Sequence, residues 1–317
     1  MPATRSGLGL AVLSAATFGT SGTFASSLLA AGWSTGAAVT VRVGVAALLL
    51  TGPALVTLGG RWALLRSGLP SILAFGLVAV AGCQLCYFNA VKHLSVGVAL
   101  LLEYSGTVLV VGWMWLRHRQ RPRRLTAAGT VLAIVGLMLV LNLTGHQRVD
   151  AAGVLWGLAA AAGLAVYFVV SGRADDPVPP IVTAWAGMTV GALALLGCAA
   201  TGVLRFTAST ADVDLAGARV SWLVPVAGLA VVAGALAYAA GIGAARRLGP
   251  RLASFVGLAE VLCAVLIAWL LLGQRPSLLQ ALGGVVVLAG IALVRADEQV
   301  PARTSSPDQV TGAVPVN

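Results

Sequence analysis

Ten stretches of about bilayer-spanning length, almost free of charge, leave this chain one way to fold. They cover residues 6–29, 35–58, 69–90, 96–116, 125–143, 151–171, 181–203, 221–240, 252–272 and 278–294. Crossing a bilayer takes about 20 apolar residues in helix. In hydrocarbon every backbone N–H and C=O must be satisfied inside the protein, and runs this long and uniformly apolar are not the short alternating strands of a barrel. The expected fold is an all-α polytopic membrane protein of ten transmembrane helices. Charged residues make up only 9% of the chain, against about 25% in soluble domains. The first run follows Arg5 as a signal peptide would, but nine further runs make it more simply a retained helix. The polar stretch 297–317, with Pro301, Pro307 and Pro315, reads as a disordered tail.

The chain also repeats itself at an offset of 154 residues. Between Leu94 and Val140 on one side and Leu248 and Val294 on the other, 15 of 47 positions are identical without a gap. They include Trp115/Trp269, Gln120/Gln274, Arg121/Arg275, Pro122/Pro276, Gly129/Gly283 and Gly136/Gly290. Chance in so apolar a chain gives on the order of a tenth, so the repeat is real. It divides the chain into 1–146 and 147–296, each with five helices, followed by the 297–317 tail. Gly129/Gly136 and Gly283/Gly290 lie seven residues apart, on one face of each helix, where small residues let helices pack closely. Gly153 and Gly157 read the same way.

Loop charges give the direction. With a cytoplasmic N-terminus, 14 of the 20 Lys and Arg residues fall inside and 5 outside, and Arg42 lies within a run. That asymmetry orients the chain with both termini cytoplasmic, in the cell membrane. Five crossings per half then make the second unit enter from the opposite side, so the repeat is expected to be inverted, an arrangement typical of transporters. The net charge of +10 is explained by these loops and needs no nucleic-acid partner.

Chemistry is sparse. Cys83 and Cys86 have CxxC spacing without a second pair or a nearby His, so they read as small buried side chains, and no metal site is expected. His93, His118 and His146 lie in loops or at junctions. No nucleophile elbow, zinc-protease, phosphate-loop or dinucleotide fingerprint appears in a supporting context. Neither a catalytic residue nor a cofactor is expected.

The layout and several short motifs resemble the EamA branch of the drug/metabolite transporter superfamily. The matches are Thr17-Phe18-Gly19, Arg42, Tyr87-Phe88-Asn89-Ala90 and the stretch from Gly97 to Tyr104 in the first half. In the second half they are Ala259-Glu260-Val261 and Leu272-Gly273-Gln274, where the family usually shows Glu-Pro and Leu-Gly-Glu. Thr107 and Val261 stand where the family often has Pro, so a proline kink is not expected at either. The resemblance implies a cavity lined by the first, third, fourth, sixth, eighth and ninth spans.

An ionisable residue inside a span is costly and therefore a functional candidate. Arg42, Glu103 and Glu260 stand out. At the 154 offset Glu260 corresponds to Gly106, so the two carboxylates sit one turn apart on similar faces of equivalent helices. Either carboxylate can bind a substrate amine or carry a coupling proton, and either can instead be a structural residue satisfied by backbone, water or arginine. Arg42 can receive a substrate carboxylate in a bidentate contact, form an ion pair, or snorkel to the interface. Gln84, Tyr87 and Asn89 on the third span, with Tyr104, Tyr167 and Tyr238, combine apolar contact with a hydrogen bond. Tyrosines also serve as interfacial anchors. Ser14, Thr17 and Ser21 form a hydroxyl stripe, read as helix packing.

The function expected from this pattern is secondary active transport of a small metabolite across the cytoplasmic membrane by alternating access. The resemblance favours export and amino acids or related compounds, and Glu103 or Glu260 is the expected route of coupling to protons. The expected partners are a small-molecule substrate, the lipid bilayer, protons and, in a homodimer, a second copy of the chain. The alternatives are an importer or facilitator of the same fold and, further off, an integral-membrane enzyme or a passive channel.

Overall fold

The computed structural model describes residues 2–93, 96–118, 123–140, 150–173, 175–215, 217–272 and 277–299. The repeat junctions at 120–122 and 274–276 and the tail beyond 299 lie outside them. Helices dominate: α1 (Pro2–Gly19), α2 (Ser21–Ala30), α3 (Thr35–Leu58), α4 (Ala63–Ser67), α5 (Leu69–Leu73), α6 (Cys83–His93), α7 (Val96–Tyr104) and α8 (Gly106–His118). They continue as α9 (Arg124–Val140), α10 (Ala151–Ser171), α11 (Pro180–Ala200), α12 (Leu223–Ala227), α13 (Ala237–Gly257), α14 (Ala259–Leu272) and α15 (Leu278–Gln299). Among the described residues, six helical stretches are long and apolar enough to cross a membrane: Ser6–Ala30, Thr35–Leu58, Leu69–Ala90, Ala151–Ser171, Pro180–Ala200 and Leu223–Gly257. Arg124–Leu139 and Leu278–Val294 are apolar but shorter, and the fourth and ninth apolar runs of the sequence are interrupted part way along.

These interruptions match between the halves. The fourth run breaks at Ser105, where Ser105 N–H donates to the Leu102 carbonyl (3.1 Å) and Val108 N–H to that of Ser105 (2.9 Å). The ninth breaks at Leu258, with Leu258 N–H on the Phe255 carbonyl (3.1 Å) and Val261 N–H on that of Leu258 (3.2 Å). Each is a turn tightened to i→i−3 bonding, achieved without the proline that is missing at positions 107 and 261. The two halves also share an unusual widening. Ala74–Gly82, between α5 and α6, and Gly228–Leu236, between α12 and α13, are both π-helical, and the two ranges are offset by the same 154 residues. The structural repeat therefore extends 20 residues ahead of the stretch of sequence identity.

Packing follows the same exchange. The helix α1 packs on α13 as α10 packs on α6, α3 packs on the second π-helical stretch as α11 packs on the first, and α3 packs on α11. The α9–α15 crossing is built from the glycines read in the sequence. A Cβ on Gly129 would lie 2.8 Å from the Gly290 carbonyl oxygen, and one on Gly136 would lie 2.6 Å from the Val287 nitrogen. Rising numbers on α9 meet falling numbers on α15, so the two equivalent helices run antiparallel.

Four features depart from the sequence reading. The eighth apolar run was bounded at 240, but the helix continues to Leu248 and turns only at Gly249 (φ 78°, ψ 161°) before Pro250. Arg246, read as a loop charge, is held there by the Val178 carbonyl and lies 3.9 Å from Asp176. That backbone conformation is open essentially to glycine alone, at a cost of about 1–3 kcal/mol for other residues. Gly249→Ala is therefore expected to lower the thermal unfolding temperature in detergent, although nothing lies within 4 Å of the new methyl.

The second departure is a small hairpin, β1 (Val213–Leu215) and β2 (Ala218–Val220), paired antiparallel with Val213 opposite Val220. It lies in the segment after α11, which is tied to the start of α3 by Trp33 Nε1 donating to the Ser209 carbonyl (2.8 Å) and Ser34 N–H to that of Thr207 (2.9 Å). Third, α15 runs on to Gln299, so Asp297 belongs to a helix rather than to a disordered tail. Its carboxylate is buried and accepts a hydrogen bond from the Thr126 hydroxyl. Fourth, His93 is not simply a loop residue: at the end of α6 it meets Asp150 at 2.7 Å. The bond from Ala152 N–H, and then His93, hold the Asp150 carboxyl below its ordinary range while it caps α10.

Candidate functional site

The two helix breaks place the two half-buried carboxylates at helix ends. Glu103 is the next-to-last residue of α7, and Glu260 is the second of α14. A helix C-terminus carries partial negative charge and an N-terminus partial positive charge. The two glutamates thus occupy opposite electrostatic settings. They are near enough to act on each other electrostatically. Both line one cavity of about 80 Å³, room for a handful of waters or one end of a small metabolite.

The walls come from six crossings. The helix α1 supplies Ser14 and Phe18, the third run Ala79, Cys83 and Gln84, and the fourth Glu103 and Tyr104. The helix α10 supplies Leu164, Tyr167 and Phe168, the eighth run Tyr238 and Gly241, and the ninth Ala253, Gly257 and Glu260. This is the set of spans that the family resemblance implied. Much of the wall is aromatic: Phe18 meets Tyr238 edge-on at 4.9 Å, Tyr167 meets Phe168 at 5.0 Å, and Tyr167 meets Tyr238 at 5.9 Å.

Polar contacts run around the cavity. The Cys83 thiol donates to Glu103 Oε1 (3.4 Å) and lies 3.3 Å from the Ala160 carbonyl oxygen. The Tyr104 hydroxyl faces the Glu260 carboxylate. Gln84 Nε2 donates to the Tyr238 hydroxyl at 3.5 Å. Ser14 Oγ donates to the Ala237 carbonyl at 2.9 Å. The Tyr167 hydroxyl is buried and, among the described residues, has no hydrogen-bond partner. It lies against Gly241, where a Cβ would fall 2.1 Å from it, so that glycine leaves the room the hydroxyl occupies.

Six of the nine candidate residues therefore meet at one cavity: Glu103, Glu260, Gln84, Tyr104, Tyr167 and Tyr238. Arg42 stands behind the wall. It is buried, with Nη2 on the Ala233 carbonyl (2.7 Å), Nη1 on Gln84 Oε1 (3.4 Å), and its guanidinium over the Phe18 ring at 5.6 Å. Tyr87 and Asn89 do not line the cavity. Tyr87 lies one turn beyond Gln84 along α6, packed on Phe88 at 5.5 Å. The Asn89 amide turns back to the Leu85 carbonyl of its own helix at 2.8 Å. Sequence reasoning gave Cys83 and Ser14 only structural roles. A thiol in an apolar run carries no mark of the carboxylate it will face, and in the hydroxyl stripe only Ser14 reaches across helices while Thr17 bonds back to the Leu13 carbonyl (2.8 Å).

Past Phe168, the next turns of α10 line a larger cleft of about 870 Å³ with Arg117, Arg173 and Asp176. Phe168, on the wall of the smaller cavity, packs its ring on Gly257, where a Cβ would fall 2.9 Å from the ring.

Comparison with known proteins agrees with this architecture. The model of the EamA-like transporter family matches twice, at residues 5–142 and 151–296. An uncharacterized inner membrane transporter, YicL, of Salmonella typhimurium is 26% identical over 240 residues, covering 74% of this chain and 76% of that one. An uncharacterized transporter of Archaeoglobus fulgidus is 27% identical over 222 residues, covering 70% and 74%. A solved crystal structure shares the fold at a TM-score of 0.73 and 20% identity, covering 92% of this chain and 97% of that one.

Proposed function

The chain belongs to the EamA-like transporter family, and on that premise we propose that it is a secondary active transporter moving a small metabolite through the cavity between its halves. The observation that carries this reading is the convergence of six helices, three from each half, on one cavity holding Glu103 and Glu260. Ten crossings result when the interrupted fourth and ninth runs and the shorter α9 and α15 are counted with the six long helices. The halves are inverted in this reading. The antiparallel α9–α15 crossing supports it, since exchanging the halves turns the Gly129–Gly290 approach into the Gly283–Gly136 one.

Alternating access then consists of the halves exchanging conformations around a fixed site. Broken helices at Ser105 and Leu258 are the natural places for that change, because local i→i−3 turns leave backbone groups free to re-pair. The 14-to-5 cation split puts both termini in the cytoplasm, and the cleft beside Arg117 and Arg173 then opens to that side. Export, and proton coupling through either glutamate, complete the reading.

Purified protein in proteoliposomes loaded with a metabolite panel is expected to show saturable counterflow of at least one compound. Flux that neither saturates nor exchanges would point to a passive channel, and the absence of counterflow across a broad panel would overturn the transporter reading.

A further inference from the structure

Charge within the cavity is one-sided. Two carboxylates line it, and among the described residues no Lys, Arg or His does. The one buried cation nearby, Arg42, already has Nη2 on the Ala233 carbonyl and Nη1 on Gln84, with its charge spread over the Phe18 ring. The Glu103 carboxylate is flanked by the C-terminal carbonyls of α7, whose partial charge is also negative. Around the carboxylates stand the rings of Phe18, Tyr104, Tyr167 and Tyr238, whose faces attract a cation. The Tyr167 hydroxyl is buried and, among the described residues, without a partner, and an unmet buried donor is costly unless a ligand group meets it.

Resting on the transport reading above, we propose that the ligand of this cavity is an organic ammonium ion with a flat or apolar body and no free carboxylate. The ammonium lies between Glu103 and the aromatic faces, and the body fills the space toward Phe168. A zwitterionic amino acid fits worse, because its carboxylate would be buried beside two others with no cation to meet it. Like charges brought together in a desolvated site cost several kcal/mol. Rejection of carboxylates is thus built from the same residues that attract the amine.

Four probes of one body separate these terms on the unaltered protein: 2-phenylethylamine, phenylalanine, phenylacetate and 2-phenylethanol. Binding is measured by calorimetry in detergent and exchange by counterflow in proteoliposomes. The amine is expected to bind, phenylalanine about tenfold or more weaker, and the acid and the alcohol without saturation. Phenylalanine or phenylacetate binding as tightly as the amine would overturn the proposal, as would an amine that does no better than the neutral alcohol. If instead the amine fails while an anion or amino acid from a broader panel exchanges, the ligand class falls and the transporter reading stands. If nothing in either panel exchanges, both fall.

Discussion

Proteoliposomes carrying Glu103→Gln or Glu260→Gln are expected to lose about tenfold or more of the counterflow of the unaltered protein. Glutamine keeps the shape of the side chain and removes the charge, so the helices around it need not move. A hydrogen bond or close contact to a charged group contributes about 1.5–3 kcal/mol, corresponding to about 10–150-fold in binding. The two variants differ in what they leave behind. At Glu103 the amide faces the Cys83 thiol at 3.4 Å and can still accept from it. At Glu260 the amide faces the Tyr104 hydroxyl, and its carbonyl oxygen can still accept a hydrogen bond. A folded, monodisperse variant with normal counterflow would reduce its glutamate to a structural residue.

The second large effect is expected at Gly106→Ala. A Cβ there would fall 2.5 Å from the Ala161 carbonyl oxygen and 3.3 Å from its carbon, so α8 would have to part from α10. Neither partner is the free end of a side chain, and overpacking of this kind costs about 1–3 kcal/mol or more. The strain enters beside the Ser105 break and three residues from Glu103, so both the melting temperature in detergent and the counterflow rate should fall. Gly112→Ala on the same helix is the control. Nothing lies within 4 Å of its new methyl, and replacing a helix glycine in open space stabilises by about 0.4–1 kcal/mol. Equal behaviour of the two variants would remove the α8–α10 contact from the account.

The same glycine explains the mismatch visible in the sequence. Gly106 is the counterpart of Glu260 at the 154 offset, and the first half has no space at that position for any side chain. In the second half the close approach is made from the other helix: a Cβ on Gly19 of α1 would lie 3.0 Å from the Ala264 nitrogen and 3.2 Å from the Glu260 carbonyl oxygen. There the glycine of the close approach is on α1, and position 260 carries a carboxylate that lines the cavity. The first half carries its carboxylate at Glu103 instead.

Much of this was legible in the chain. Glu103 and Glu260 stood out because charge in an apolar run is rare, and the glycine pairs of α9 and α15 because their spacing fixes a face. The π-helical stretches were not legible. Ala, Val, Leu and Gly suit an α-helix as well as a wider one, and the choice is made by what packs alongside, as where a Cβ on Gly76 would meet the Gly187 carbonyl oxygen at 2.5 Å. The breaks at Ser105 and Leu258 were equally hidden, since no proline marks them. Tyr87 and Asn89 looked like cavity residues because a run of polar side chains at the end of a span says nothing of depth along the helix.

Among the side-chain hydrogen bonds of the described residues, one joins the two halves at equivalent positions. Gln84 and Tyr238, joined at 3.5 Å, are each other's counterparts at the 154 offset. Exchanging the halves sends Gln84 to the place of Tyr238 and the reverse, so this bond is carried onto itself, as the α9–α15 crossing is through its glycine approaches. Both lie where the exchange moves nothing across. A transporter that works by swapping the conformations of its halves has no cause to break a contact at such a place. The bond between unlike residues at that point also means that the axis is not a true one, and that the two end states of the cycle need not be equal in energy.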